Sequence, residues 1–215
     1  MSVFDPTFEQ LPATIPVFPL SEVLLLPRGR LPLNIFEPRY LAMVEDALAA
    51  QRMIGMIQPV SGGDGRNDPD LYATGCAGRI CRFEETEDGR YLIALAGVCR
   101  FNVAEELEPV SGYRRVRANW SEFRDDLEPS PEPGLNRKRL LTALKDYFGA
   151  HGLEADWAAL REAPEERLVT CLSMICPFGA SEKQALLEAA DLTARAEVLL
   201  ALIEMDGATC GPMRQ

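Results

Sequence analysis

The residue types that could carry chemistry in this chain are its six cysteines and its single histidine. Two pairs, Cys76/Cys81 and Cys171/Cys176, share the spacing Cys-x-x-x-x-Cys, which invites a four-thiolate zinc site. An offset of five residues, however, puts two side chains on opposite faces of a strand and well apart around a helix. We therefore predict no metal site, and we expect buried free thiols instead.

Nucleophilic and acid–base catalysis have little support in the sequence. His151 lies in a predicted helix-end loop, and no Gly-x-Ser-x-Gly elbow occurs. Adjacent carboxylates such as Glu84 and Glu85 are typical of the solvated faces of an acidic protein. We predict no catalytic residue. One alternative stays open, a small-ligand or thiol-dependent enzyme with Cys76 or Cys99 as the reactive group in a cleft.

Phosphate and nucleic-acid binding are also disfavoured. The chain has no Gly-Lys pair for a Walker A loop, and Asp64 would repel a phosphate from the glycine-rich stretch around it. Residues 61–70 are instead predicted to form a mobile loop, and no cofactor is predicted. The formal net charge is -11, whereas a nucleic-acid partner requires a basic face. The densest arginine cluster, Arg114, Arg115 and Arg117, alternates like the wet face of a strand.

The apolar runs of the chain bear on its location. None of them approaches the roughly 18–20 residues that span a membrane. The first residues show neither the basic nor the apolar part of a signal peptide. We therefore expect no membrane partner, a cytoplasmic location and reduced cysteines.

The first half of the sequence is punctuated by glycine and proline, which predicts short strands. Asp88-Gly89 lies between two apolar runs and predicts a tight hairpin turn. A helix is predicted at residues 39–50, with Pro38 at its first position. The predicted strands cover residues 15–19, 23–26, 31–36, 53–57, 79–84, 91–96, 100–106 and 113–120.

Residues 127–134, Leu-Glu-Pro-Ser-Pro-Glu-Pro-Gly, are predicted to form a linker, because alternate prolines favour extended backbone. A β-rich subdomain at 13–126 would precede it and a helical subdomain at 135–207 would follow. Strands followed by helices predict an α+β fold.

The helical half shows apolar stripes and capping signals. Leu140 to Phe148 and Leu168 to Ile175 have helical spacing. Ser181 and Gln184 are predicted to form a capping box. Asp191 is predicted to cap the last helix, with Leu192, Ala196, Leu199 and Ile203 as its stripe and Gly207 as its end.

Two segments stand out, Ile15-Pro-Val-Phe-Pro-Leu20 and Leu31-Pro-Leu-Asn-Ile-Phe-Glu-Pro-Arg-Tyr40. They resemble the signature of the Lon N-terminal, or substrate-binding, domain family. The resemblance continues through Gly75-Cys-Ala-Gly-Arg-Ile80 and Pro177-Phe178 and covers about residues 13–206. It implies a PUA-like β pseudo-barrel with an inserted helix, followed by a C-terminal helical bundle.

The same resemblance implies a function. In full-length Lon proteases this domain recognises unfolded or tagged substrates, while ATP hydrolysis and cleavage belong to later domains. This chain ends before either would begin and lacks the ATPase phosphate loop, so we expect a stand-alone bacterial form. We expect it to bind unfolded or partner polypeptides in proteolysis or quality control, and not to hydrolyse peptides. No particular oligomeric state is predicted.

The residues proposed to contact peptide are Phe36, Glu37, Arg39 and Tyr40, and they have two interpretations. In the functional one, Phe36 and Tyr40 form an aromatic patch with Glu37 and Arg39 at its polar rim. In the structural one, Glu37 caps the helix, Pro38 starts it, and both aromatic rings fill the core. The structural interpretation is favoured, because aromatic residues at helical spacing usually belong to a core.

Overall fold

The computed structural model describes residues 6–60 and 69–209. Most of the predicted mobile loop lies outside the described residues. The α+β fold is confirmed, with strands and helices largely segregated along the chain. The strands are β1 (Thr14–Pro19), β2 (Arg30–Ile35), β3 (Met53–Ile57), β4 (Thr74–Glu85), β5 (Tyr91–Val110) and β6 (Tyr113–Asn119). The helices are α1 (Pro38–Ala49), α2 (Arg137–His151), α3 (Trp157–Glu162), α4 (Glu165–Ile175), α5 (Ala180–Glu188) and α6 (Leu192–Thr209), with 3-10 turns at Phe8–Gln10 and Ser121–Leu127.

The strands form a ring in the order β2-β5-β4-β3-β1-β6, which an additional pairing between β5 and β6 closes. Strand β5 makes this closure, because its 20 residues pair with β2 and β4 early and with β6 later. Register shifts near Gly78 and Cys81 and near Ala104 accompany its bending. The predicted turn at Asp88-Gly89 is confirmed, and Gly89 adopts a φ of 78°.

Helix α1 is inserted between β2 and β3, as predicted. Pro38 occupies its first turn, where a missing N–H costs nothing. Its buried face consists of Tyr40, Met43, Val44 and Ala47. None of the described helices is long and apolar enough to cross a bilayer.

The strand predicted at residues 23–26 is wrong. This segment is irregular, although Leu24, Leu25 and Leu26 are buried. The Leu26 carbonyl accepts from the Gly29 N–H at 2.9 Å, and just beyond the segment the Arg28 N–H donates to the carbonyl of Gly97 at 2.9 Å. A short apolar run indicates burial but does not distinguish a strand from a buried loop.

The last helix has the predicted stripe, and Asp191 caps it by accepting from the N–H of Ala194 at 2.8 Å. Two predicted helix boundaries are wrong. The cap of α5 is Gly179, whose N–H donates to the Glu182 carboxylate, because Gln184 points into the interior. Helix α6 continues through Gly207 to Thr209. Helix α3 was not predicted, because its six residues are too few to show a stripe.

Ring and helices share one apolar cluster that includes Phe18 and Leu95 of the strands and Leu144 and Leu199 of the helices. A buried amide pair joins them as well. Gln58 donates to the side chain of Gln184 at 3.1 Å, and Gln184 donates to the Thr74 carbonyl at 3.1 Å. The division into subdomains at residues 127–134 stays a prediction.

Replacing Gln184 with methionine should lower the free energy of unfolding by about 1–3 kcal/mol, because it leaves buried polar groups without a partner. The side chain is 3% exposed, so water cannot replace the lost bonds. Gln51→Met is the control at an exposed position. Urea denaturation measures both, and equal midpoints for the two variants would contradict the prediction.

Candidate functional site

The segment 36–40, called the corner below, turns the chain from β2 into α1. Glu37 is the residue before the helix, with extended backbone, and its carbonyl accepts from the N–H groups of Tyr40 and Leu41. Its side chain makes no capping bond and instead pairs with Arg39 at 2.9 Å. The structural interpretation is therefore correct for Pro38 and wrong for the Glu37 side chain.

The two aromatic residues of the corner have different environments. Tyr40 is 7% exposed and its ring lies 4.3 Å from that of Phe18, so its predicted place in the core is correct. Phe36 is 61% exposed, so the structural interpretation is wrong there. Strand parity explains the difference, because Ile35 points inward and the next side chain points outward. The Arg90 guanidinium lies 6.0 Å over the Phe36 ring.

Arg39 and Tyr40 line a groove of about 320 Å³ between α1 and the ends of β1 and β3. The Arg39 guanidinium lies 4.6 Å above the Tyr40 ring. The groove is shaped chiefly by rings and suits contact with a side chain or a short turn of a ligand. The other lining residues are Pro19, Leu20, Ser21, Pro59, Pro69, Gly112, Tyr113 and Arg114.

Tyr113 in this groove donates its hydroxyl to Asp46 at 2.8 Å. Burial, with a further contribution from this bond, raises the pKa of Tyr113 to about 12. The phenol therefore stays protonated at neutral pH and acts as a fixed donor. Among the described residues that line the groove, the titratable side chains are those of arginines and tyrosines.

The end of the β4–β5 hairpin, residues 82–92, adds exposed apolar surface beside the corner. Phe83 is 42% exposed and Leu92 is 38% exposed. The ring of Phe83 lies 5.0 Å from that of Tyr91, whose hydroxyl donates to Glu45 at 2.8 Å. This hydrogen bond is the main cause of the raised pKa of Tyr91.

Sequence reasoning missed Phe83 and Leu92 as surface residues and treated them only as parts of strands. The signal available was that Phe83 is an apolar residue among charged ones, in Arg82-Phe83-Glu84-Glu85. Where a strand extends past its neighbour in the ring, its apolar side chains no longer have the core to pack against and become exposed. Strand β3 pairs with β4 only as far as Arg79, and the exposed run of β4 begins at Cys81.

The thiols proposed for the alternative are buried, because Cys76 is 1% exposed and Cys99 is 0% exposed. Burial raises the pKa of Cys76, and it raises the pKa of Cys99 to about 12, so both remain protonated and unreactive. They also point to opposite faces, because Cys99 pairs across the sheet with Ala77 and not with Cys76. His151 contacts Asp206 at the far end of α2. The thiol-dependent enzyme has no support in this arrangement.

The described residues contain no group of three or more His, Cys, Asp or Glu side chains that could hold a metal ion. Cys76 is buried and Cys81 exposed, and Cys171 is exposed and Cys176 buried. The members of each Cys-x-x-x-x-Cys pair therefore lie apart, as their spacing predicts.

Comparison with known proteins gives a consistent result. Residues 14–205 match the family model of the ATP-dependent protease La (LON) substrate-binding domain. The chain is 26% identical over 200 residues to Lon protease 2 of Myxococcus xanthus, covering 91% of this chain and 24% of that protein. It is 26% identical over 201 residues to the Lon protease of Anaeromyxobacter dehalogenans, covering 91% and 23%. The chain thus spans about a quarter of the length of these curated relatives.

Two solved structures are similar over most of the chain. A Lon N-terminal domain protein from Xanthomonas campestris superposes with a TM-score of 0.61 at 24% identity, covering 87% of this chain and 97% of that one. The N-terminal domain of the Mycobacterium avium complex Lon protease superposes with a TM-score of 0.60 at 15% identity, covering 88% and 97%. At these identities the likeness establishes the fold.

Proposed function

The chain belongs to the ATP-dependent protease La (LON) substrate-binding domain family, and on this premise we propose that it is a non-catalytic module that binds unfolded or partner polypeptides in proteolysis or quality control. The observation that carries the proposal is the exposed corner. Phe36 presents its ring to solvent three residues before Arg39, which lines a groove that also contains prolines and tyrosines. Exposed aromatic side chains next to a groove are typical anchors for polypeptide.

The corner supplies both kinds of contact that a polypeptide site requires. Phe36 offers apolar surface, and Arg39 and Glu37 form an ion pair that is nearly half exposed on each side. Tyr40 contributes chiefly by positioning Arg39, because its own ring is buried. Of the two earlier interpretations, the functional one thus applies to Phe36 and the structural one to Tyr40.

The proposal includes a cytoplasmic setting and a polypeptide rather than a nucleic-acid partner. The five described cysteines are free thiols, which suits a reducing compartment. The net charge of -11 opposes binding to a phosphate backbone.

Replacing Phe36 with serine should weaken binding to unfolded casein about tenfold, as expected when an exposed aromatic anchor of an interface is removed. Fluorescence anisotropy of labelled casein titrated with the protein measures the affinity. Ile175→Ser is a matched control, because Ile175 is an aliphatic residue on α4 that is 68% exposed. We expect this control to bind casein like the unmodified protein.

Two outcomes would count against the proposal in different ways. If the unmodified protein does not bind casein, the proposed function itself fails. If binding is intact in Phe36→Ser, the chain binds polypeptide but not at the corner. Unfolding midpoints of both variants, measured in parallel, confirm that each protein tested is folded.

A further inference from the structure

The ring of strands has an open edge where the second half of β4 extends past its neighbour. Strand β3 pairs with β4 only as far as Arg79, and the N–H of Ile80 makes a last bond to the Arg52 carbonyl. Cys81 is the extra residue at a register shift, and from Arg82 to Glu85, β4 is paired on one side only, with β5. In the described part of the chain, no other strand covers this edge.

The hairpin turn determines which backbone groups face the edge. The Thr86 N–H donates to the Arg90 carbonyl at 2.9 Å, so these residues form a hydrogen-bonded pair. Such pairs alternate along an antiparallel ladder, and Glu84 therefore bonds Leu92. The N–H and C=O groups of Phe83 and Glu85 consequently point away from β5, toward the edge.

The open edge of β2 is different. By the same alternation, Tyr91 directs its backbone groups to Ile35, so Arg30, Pro32 and Asn34 face outward. Pro32 has no N–H, and a proline on an edge prevents the addition of a further strand. The edge of β4 from Cys81 to Glu85 contains no proline, so it retains a complete set of backbone donors.

From this geometry we propose that an extended polypeptide segment, rich in basic and apolar residues, pairs with residues 81–85 of β4 as an added strand. The proposal rests on the proposed function and gives it a mode of binding. Main-chain hydrogen bonds to Phe83 and Glu85 would supply affinity that does not depend on sequence, and side chains would supply the preference.

The side chains beside the edge define what the added strand carries. Phe83 is 42% exposed and lies on the same face as Tyr91, so an apolar residue of the partner would pack against these two rings. The register of the backbone pairing determines which residue of the added strand packs against these rings.

The charges around the edge select a basic partner. Residues 82–90 carry the carboxylates Glu84, Glu85, Glu87 and Asp88 against two arginines. Arg82 already pairs with Glu84 at 2.9 Å and Arg90 with Asp88 at 2.9 Å. Glu85 and Glu87 make no ion pair within the described residues. A second copy of this chain would bring the same carboxylates face to face, whereas lysines would neutralise them.

The test uses the whole chain and the capped peptide Lys-Val-Lys-Phe-Lys-Val-Lys. Nuclear magnetic resonance of amide exchange should show that the Phe83 and Glu85 amides exchange about tenfold more slowly with peptide bound. The Glu84 amide, already bonded to β5, should be unaffected. The same peptide with N-methyl groups on alternate residues should bind about tenfold more weakly, because it cannot donate to the edge. A peptide with Glu in place of Lys should bind more weakly still.

Two variants separate backbone pairing from charge. Glu85→Pro removes an N–H that faces the edge and breaks no bond to β5, so peptide binding should be lost. Glu85→Gln removes the charge alone, so the affinity for the peptide should fall only in part. The difference from the unmodified protein should be smaller at high salt, which screens the charge. Should Glu85→Pro unfold, the N-methylated peptides test the backbone pairing on the unmodified protein.

Equal binding of the N-methylated and unmodified peptides would overturn the proposal, as would slowed exchange that appears without peptide and grows with protein concentration. The latter result would show a second copy at the edge. If casein binding depends on Phe36 while the Phe83 and Glu85 amides stay unprotected, the proposed function stands and the added strand is wrong. If casein does not bind at all, the proposed function fails independently of the edge.

Discussion

Replacing Gly97 with alanine should lower the free energy of unfolding by about 3 kcal/mol, at the upper end of what overpacking a core costs. A Cβ on Gly97 would lie 1.9 Å from the carbonyl oxygen of Leu26. That atom belongs to the backbone, so no change of rotamer can relieve the overlap. The segment ending in Leu26 must move, although the three leucines at 24–26 are buried.

This movement is costly, because hydrogen bonds hold the same two segments together. The Gly97 N–H donates to the Gly29 carbonyl at 2.9 Å, and the Arg28 N–H donates to the Gly97 carbonyl at 2.9 Å. A shift large enough to admit a methyl group would lengthen both bonds. It would also pull Leu26 from a site where it is 0% exposed.

Gly149→Ala is the control, because it is the same substitution with the opposite expected sign. Gly149 lies inside α2, and a Cβ there would have no neighbour within 4 Å. Alanine stabilises a helix interior by up to about 1 kcal/mol relative to glycine. Urea denaturation of both variants measures the difference, and a Gly97→Ala protein as stable as the unmodified one would contradict the expected overlap.

Much of the fold could be predicted because its local signals are strong. The tight turn at Asp88-Gly89 needs a positive φ, which glycine adopts readily. Within a helix, a proline such as Pro38 is well tolerated only in the first turn. The segment 23–26 shows the limit. Its apolar residues correctly indicate burial, but its conformation depends on Gly97, more than 70 residues away, and no local pattern records that contact.

The candidate site shows the same limit more sharply. Phe36 and Tyr40 are both aromatic and four residues apart, and sequence reasoning gave them one role. Their exposures, 61% and 7%, differ because Phe36 follows the parity of β2 whereas Tyr40 follows the period of α1. The exposure of Phe83 depends on where β3 stops pairing with β4. That point is set by the whole sheet and not by the sequence of either strand.

Three cations of the helical half were also beyond sequence reasoning, and they share one role: Lys183 and Arg195 are buried, and Arg137 is partly buried. Helices end with free carbonyls that need donors. Arg137 donates to carbonyls at the end of α3, and Lys183 donates to the Met174 carbonyl at the end of α4, at 2.9 Å. Arg195 donates to the Leu186 carbonyl near the end of α5, at 2.8 Å. Burial, reinforced by repulsion from Arg100, lowers the pKa of Arg195 to about 10, so it remains charged at neutral pH.

Arg100, a buried cation on β5, also donates to carbonyls at the end of a helix, and replacing it with methionine should lower the free energy of unfolding by about 3–5 kcal/mol. Its guanidinium pairs with Asp126 through bonds of 2.9 and 2.8 Å and donates to the carbonyls of Leu187 and Ala189 at the end of α5. The side chains of the pair are 5% and 9% exposed. Methionine fills much of the volume of arginine. The loss in the free energy of unfolding therefore comes from the carboxylate left without its counter-charge and from the carbonyls left without donors.

A double variant separates these two contributions. Arg100→Met combined with Asp126→Asn removes the stranded charge and keeps an oxygen that can accept from the Arg100 backbone N–H. It leaves the carbonyls without donors, so it should be more stable than Arg100→Met alone. Arg117→Met is the surface control, because its pair with Glu105 is more than half exposed on both sides and should contribute little. Urea denaturation gives all three values. If the double variant is no more stable than the single one, capping of α5 is the dominant role of Arg100, and the ion pair with Asp126 contributes little to the attachment of the helices to the ring.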